Sequence, residues 1–262
     1  MEISVQEYLD KAVEFARKAG ELTLKYFQKD IDIDFKSDRT PVTRADREAE
    51  QVIRDLITRY YPDHGILGEE FEERNPDSKF QWILDPIDGT LSYIHGVPLY
   101  TTLVALVYDS RPVVGAIFAP VTNEMCAAGV GEGAWYNNTR CRVRTTERLS
   151  DATVLTTDYR DIDDYGFGDK FRALMQEAYL TRSWGDAYGH MLVASGKADV
   201  MFDPVLNIWD AAALMPVVTE AGGSFTDITG QAIIDGGSAI SCASTLFEQI
   251  KPFLLRPPKD TN

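Results

Sequence analysis

Apolar positions divide this chain into two regimes. In the first, Val5, Leu9, Ala12, Val13, Ala16, Ala19, Gly20, Thr23, Leu24 and Phe27 recur at helical spacing. They predict an amphipathic helix from about Ser4 to Gln28, with small residues for close packing. Ile31-Asp32-Ile33-Asp34-Phe35-Lys36 alternates as a half-buried strand does, and 37–41 reads as a loop. Thr43-x-x-Asp46 opens a second helix that buries Ala49, Val52, Ile53, Leu56 and Ile57 and ends near Tyr61-Pro62. Gly65 to Glu70 reads as a short buried strand, and the polar stretch Phe71 to Lys79 as a loop. Trp82-Ile83-Leu84 ends a buried strand. Tyr100 to Tyr108 is another, continued as an antiparallel meander by Val113 to Ala119 and Met125 to Ala128. Gly129-Val130-Gly131-Glu132-Gly133 is a hairpin turn, because its third glycine comes too early for a dinucleotide fingerprint and no helix follows.

The second regime begins past the polar stretch Arg144 to Arg148, where strands and helices alternate. Strands are expected at Ala152–Thr156, Thr181–Trp184, Ala198–Phe202, Ser224–Thr226 and Ala239–Ser241. Helices are expected at Phe167–Tyr179, Asp186–Ser195, Ile208–Ala221 and Thr245–Leu255, the third stopped by Gly222-Gly223. The expected organisation is an N-terminal α+β subdomain over 1–146 and a C-terminal α/β subdomain over 147–262, together one family-sized domain.

Composition narrows the class. The 262 residues carry 26 Lys+Arg against 41 Asp+Glu, a formal charge of -15, which opposes binding nucleic acid through its phosphates. It does not oppose binding an anion, because metal ions can invert the local field. The three cysteines, Cys126, Cys141 and Cys242, are scattered and suit a reducing compartment. The N-terminus lacks signal-peptide character, and no apolar run approaches the ~18 residues of a membrane span. A cytoplasmic protein without membrane or nucleic-acid partners is expected.

Four acids stand at expected strand or helix ends: Glu69, Asp85, Asp88 and Asp210. Pro86 fixes its own φ and lacks an N–H, so the chain should turn after Asp85 and bring Asp88 beside it. Gly89 permits close approach of the backbone to a ligand, and the N–H groups opening a helix at Thr90 suit an anion. An ordinary Asp-Pro turn explains the same residues. Thr43 with Asp46 reads equally as a helix cap. Glu69-Glu70 reads equally as a solvated loop, and Asp186 as the cap of its helix. His64, His95 and His190 are too scattered for a ligand set. Gly-x-Ser-x-Gly and Gly-x-x-x-x-Gly-Lys-[Ser/Thr] are both absent from the sequence.

Gly68-Glu69-Glu70, Asp85-Pro86-Ile87-Asp88-Gly89-Thr90 and Trp209-Asp210 with Glu220-Ala221-Gly222-Gly223 resemble the inositol monophosphatase family of metal-dependent phosphatases, in order and across nearly the whole chain. The resemblance implies an α/β (α+β) fold, a five-layer α/β/α/β/α sandwich of the inositol monophosphatase and fructose bisphosphatase type, often a homodimer. It implies two or three Mg2+ ions held by Glu69, Asp85, Asp88, Asp210 and the Ile87 carbonyl. By the same resemblance Asp46 and Thr90 activate the attacking water, Glu70 supports a further ion, and Gly89 and Thr90 meet the phosphate. Asp88, Asp186, Asp203 and Asp210 are the implied substrate contacts.

The segment Arg182 to His190, with Asp203-Pro204, resembles the histidinol-phosphate phosphatase branch, although Ile208 stands where Pro is expected before Trp209-Asp210. The implied substrate is a small phosphate monoester, L-histidinol phosphate, an intermediate of histidine biosynthesis. The alternatives are inositol 1-phosphate or a broader set of sugar phosphates, and, in a different class, a regulatory member without catalysis.

Overall fold

The apolar run ending at Tyr108 becomes β5 (Thr101–Tyr108), an interior strand whose faces are both buried. Leu103, Ala105 and Val107 enter one hydrophobic cluster, and Val104 and Leu106 another. A strand covered on both sides has no polar face, which is why its sequence does not alternate. β5 belongs to a seven-stranded sheet that follows chain order: β3 (Gly65–Gly68), β4 (Phe80–Asp88), β5, β6 (Arg111–Ala119), β7 (Glu124–Gly129), β8 (Gly133–Tyr136) and β9 (Thr139–Arg140). Within this sheet, among the described residues, only β3 and β4 pair in parallel. The computed structural model of the chain describes residues 4–29, 32–36 and 40–256.

A second, five-stranded sheet runs in the order β11 (Leu180–Arg182), β10 (Thr153–Thr156), β12 (Val200–Asp203), β14 (Ala239–Ala243), β13 (Gly223–Thr226). Helices fill three layers around the sheets. α1 (Val5–Thr23) and α2 (Arg44–Tyr60) cover the outer face of the first sheet through Phe15, Ala16, Ala49 and Ile53. α6 (Asp186–Ala194) and α8 (Leu214–Glu220) lie between the sheets. α5 (Gly168–Glu177) and α9 (Phe247–Leu254) close the far face through Phe171, Leu174, Ile250 and Leu254. The result is the layered α+β sandwich expected from the sequence.

Five local expectations are corrected. The first helix stops at Thr23, with turns from Leu24 to Gln28. β1 (Ile33–Phe35) is exposed throughout, because it is the outer strand of a two-stranded ribbon whose other strand, β2 (Pro41–Thr43), is the buried one; Ile31 and the loop residues 37–39 lie outside the described residues. Pro86 does not end its strand. β4 runs on to Asp88 through a bulge between Asp85 and Asp88, which accommodates a residue that cannot donate. The expected helix Ile208–Ala221 is two: α7 (Ile208–Ala211) and α8. Pro216 cannot donate back to the Ala212 carbonyl, so the helix breaks there. Finally α4 (Tyr159–Asp164) was not expected; Asp158 caps it by accepting from the Arg160 N–H at 2.8 Å.

Candidate active site

The bulge of β4 creates the centre of the site. Asp85 Oδ1 accepts the Ile87 N–H at 3.0 Å, folding the chain back on itself within two residues. Gly89 then takes φ +84°, and α3 (Thr90–Ile94) follows. The Thr90 hydroxyl donates to the Ile87 carbonyl at 3.0 Å. Asp88 Oδ2 accepts from Thr101 Oγ1 on β5 at 3.0 Å and from the Ala187 N–H of α6 at 2.8 Å, so both halves of the chain hold one carboxylate. Asp210 comes from α7, where its Oδ2 accepts the Asn207 N–H at 2.7 Å. One oxygen each of Asp85, Asp88 and Asp210 lies within 4.8 Å of the others.

These residues line a cleft of about 460 Å³ with Glu69, Ile87, Gly89 and Thr90. Asp186 and Asp203 line it as well. Asp46 and Glu70 do not; they stand behind it. Asp46 Oδ2 accepts from both the backbone and hydroxyl of Thr43, at 2.8 and 2.7 Å, so it caps α2 as the helix-start reading had it. No hydrogen bond joins Asp46 to Thr90. Lys36 sets its ammonium 2.7 Å from both Glu69 Oε1 and Glu70 Oε1. Asp203 is buried, with Oδ1 accepting the Thr157 N–H at 3.1 Å and Oδ2 facing His190 Nε2 at 3.2 Å. Asp186 is the first residue of α6, and Gly185 is its cap.

Two groups of site residues escaped the sequence reading. Glu50, fully buried on α2, accepts the Glu70 N–H at 2.8 Å and pairs with Arg54 at 2.6 Å. Its signal was an acid on the apolar face of a helix, one turn after Asp46. Thr157, Asp158 and Asp161 line the far wall of the cleft. Asp158 ahead of Arg160-Asp161 carried a capping signal for α4 that went unread.

The electrostatics follow from crowding acids out of water. Burial raises the carboxyl pKa of Asp85 and of Asp88 well above the usual range, and neighbouring acids raise both further: Glu69, Asp88 and Asp210 for the first, Asp186 and Asp210 for the second. Burial pushes Asp46 and Asp210 up to about 6, and Glu70 and Asp186 to about 7. Among the described residues no Lys or Arg pairs with Asp85, Asp88 or Asp210. Buried carboxylates converging without a cation, joined by a carbonyl, fit a hard divalent ion, which prefers oxygen donors.

Comparison with known proteins agrees with this geometry. The sequence model of the inositol monophosphatase family matches residues 4–253. A histidinol-phosphatase of Chlorobaculum parvum is 43% identical over 240 residues, covering 91% of this chain and 93% of that protein. An inositol-1-monophosphatase of Rhizobium meliloti is 32% identical over 262 residues, covering 98% and 96%. Among solved structures, the extragenic suppressor protein suhB from Bartonella henselae superposes with a TM-score of 0.89 at 30% identity, covering 98% of this chain and 100% of that one.

Proposed function

The chain belongs to the inositol monophosphatase family and is a phosphoric monoester hydrolase, and from that premise we propose that it hydrolyses L-histidinol phosphate with magnesium. Asp85, Asp88, Asp210, Glu69 and the Ile87 carbonyl hold two or three ions, with Glu70 supporting from behind. When bound, magnesium supplies positive charge against the phosphoryl oxygens and acidifies water. The chain's own groups do the rest. The backbone N–H groups of Gly89 and Thr90 orient the phosphate at the start of α3. The Thr90 hydroxyl, held now by the Ile87 carbonyl, orients the attacking water, and Asp46 behind the cleft wall takes the proton by way of that hydroxyl once it turns from Ile87 toward the carboxylate.

The observation that carries the substrate choice is Asp186. Its carboxylate lines the cleft beside the metal-binding acids, and among the described residues no side chain donates a hydrogen bond to it. Histidinol phosphate brings an ammonium to that wall, where a charge-assisted bond is roughly twice as strong as a neutral one. Inositol brings only hydroxyls. The Chlorobaculum relative supports the same choice. The test is kcat/KM over a panel of monoesters. Histidinol phosphate should lead, and Asp186→Ala should cost it about 1.5–3 kcal/mol, the range for a hydrogen bond to a charged group. Inositol 1-phosphate should lose less. A wild-type preference for inositol 1-phosphate would defeat the reading.

We also propose a homodimer, which the exposed apolar Leu91 and Val97 at the cleft rim suit. Light scattering decides it; a monomer at micromolar concentration rules it out.

A further inference from the structure

Asp186 opens α6 with φ +53°, in the left-handed region. A non-glycine residue stays there only where its surroundings dictate it. Here they do so from both sides. The Asp186 N–H donates to Thr157 Oγ1 at 2.7 Å, and the next N–H, of Ala187, donates to Asp88 Oδ2 at 2.8 Å. Before them, Gly185 lies flat against Thr157, where a Cβ would come within 2.4 Å of the Thr157 Cα.

Thr157 is itself anchored. Its N–H donates to Asp203 Oδ1, whose other oxygen faces the fully buried His190, and His190 Nδ1 meets Ser241 Oγ at 2.6 Å. The chain of bonds thus runs from β14 through α6 and β12 to the end of β10, and from there to the backbone of Asp186. The result is an aimed carboxylate. Asp186 Oδ2 sits over Gly89, 2.8 Å from where a Cβ would be. That is the wall of the cleft beside the Gly89-Thr90 turn, to which the proposed function gives the phosphate.

We propose that Thr157 is a positioning residue for substrate choice. Its hydroxyl fixes the left-handed backbone of Asp186, and so points that carboxylate at the cationic group of the substrate; this rests on the reading of histidinol phosphate given above. Thr157 does not need to touch the substrate. Asp203 and His190 serve the same end one step further back, by holding Thr157.

The experiment is a double-mutant cycle on the magnesium-loaded enzyme, with histidinol phosphate and inositol 1-phosphate as probes. Thr157→Ala removes the hydroxyl together with the γ-methyl and keeps the N–H bond to Asp203, and Thr157 is part-exposed, so folding should survive. KM for histidinol phosphate should rise about 10-fold, the scale of one hydrogen bond, with a smaller change in kcat. Inositol 1-phosphate should lose less. Thr157→Ser keeps the hydroxyl and should restore the wild-type KM. Thr157→Ala combined with Asp186→Ala should be no worse than Asp186→Ala alone, because the first acts through the second. Additive losses, equal losses on both substrates, or a serine variant as poor as alanine would each overturn the assignment. Failure of the functional reading shows elsewhere, in a wild type without preference for histidinol phosphate.

Discussion

Without metal, the protein should lose stability as pH rises through neutrality. Asp46 is 1% exposed and its carboxyl is pushed up to about 6, chiefly by burial. In the unfolded chain it titrates near 3.9. A raised folded pKa contributes stability that is full below the unfolded pKa and is lost as pH climbs through the folded one. Two units correspond to roughly 3 kcal/mol in all, of which roughly half remains to be lost between pH 5 and 8. Glu70, pushed to about 7, loses more of its share in the same window. Together they remove about 3–4 kcal/mol, a large part of the 5–15 kcal/mol typical of a folded protein. Urea denaturation in EDTA at pH 5 and pH 8 measures the drop, and a melting scan should show it as roughly 6–12 °C. Magnesium should recover most of it at pH 8 and little at pH 5, where the acids are protonated. Asp46→Asn should make the profile shallower and leave the Glu70 share. A metal-free protein equally stable at both pH values, or one stabilised equally by magnesium at both, would refute the account.

Asp85→Asn should cut turnover at least ~100-fold, the scale of losing a major electrostatic group, while the metal-free protein melts no lower because repulsion is relieved; magnesium-dependent turnover near normal would sink the assignment. Thr90→Ala should lower kcat more than it raises KM, and rapid quench should trap no phosphoenzyme, since an ordered water rather than a side chain attacks. Glu50→Ala leaves Arg54 without its carboxylate and Glu70 without its acceptor, so urea denaturation should show a loss of about 3 kcal/mol or more. Glu50→Gln keeps an acceptor and should lose less.

The chemistry was easier to read from the sequence than the geometry beneath it. Glu69, Asp85, Asp88 and Asp210 stand out because they sit in motifs that resemble those of the inositol monophosphatase family; taken singly, each reads equally as a turn, a loop or a helix start. The two-faced burial of β5 and the alternation of the second half were legible for another reason: periodicity records which faces meet water. What failed was local. The strand Ile33–Phe35 alternates without covering a core, and Pro86 joins a bulge rather than ending a strand, an outcome decided by pairing with β5. Pro216 did announce the break after Ala211, but the apolar run around it hid the signal. Glu50 left a trace, as an acid on the apolar face of α2, whereas Thr157 left none. Thr157 holds the backbone of another residue, and a hydrogen bond to backbone has no period.

The bond from Ala187 to Asp88 spans 99 residues. Its consequence is one of timing. On the ribosome, Asp85 and Asp88 emerge about 120 residues before Asp210. At ~5–20 residues per second that delay is roughly 6–24 seconds. Through that interval the nascent chain carries half a metal site, with the Asp88 carboxylate lacking its helix and the acid triad lacking its third member. The site is therefore completed only once Asp210 has emerged, and a product cut short before Asp210 lacks the third acid of its triad.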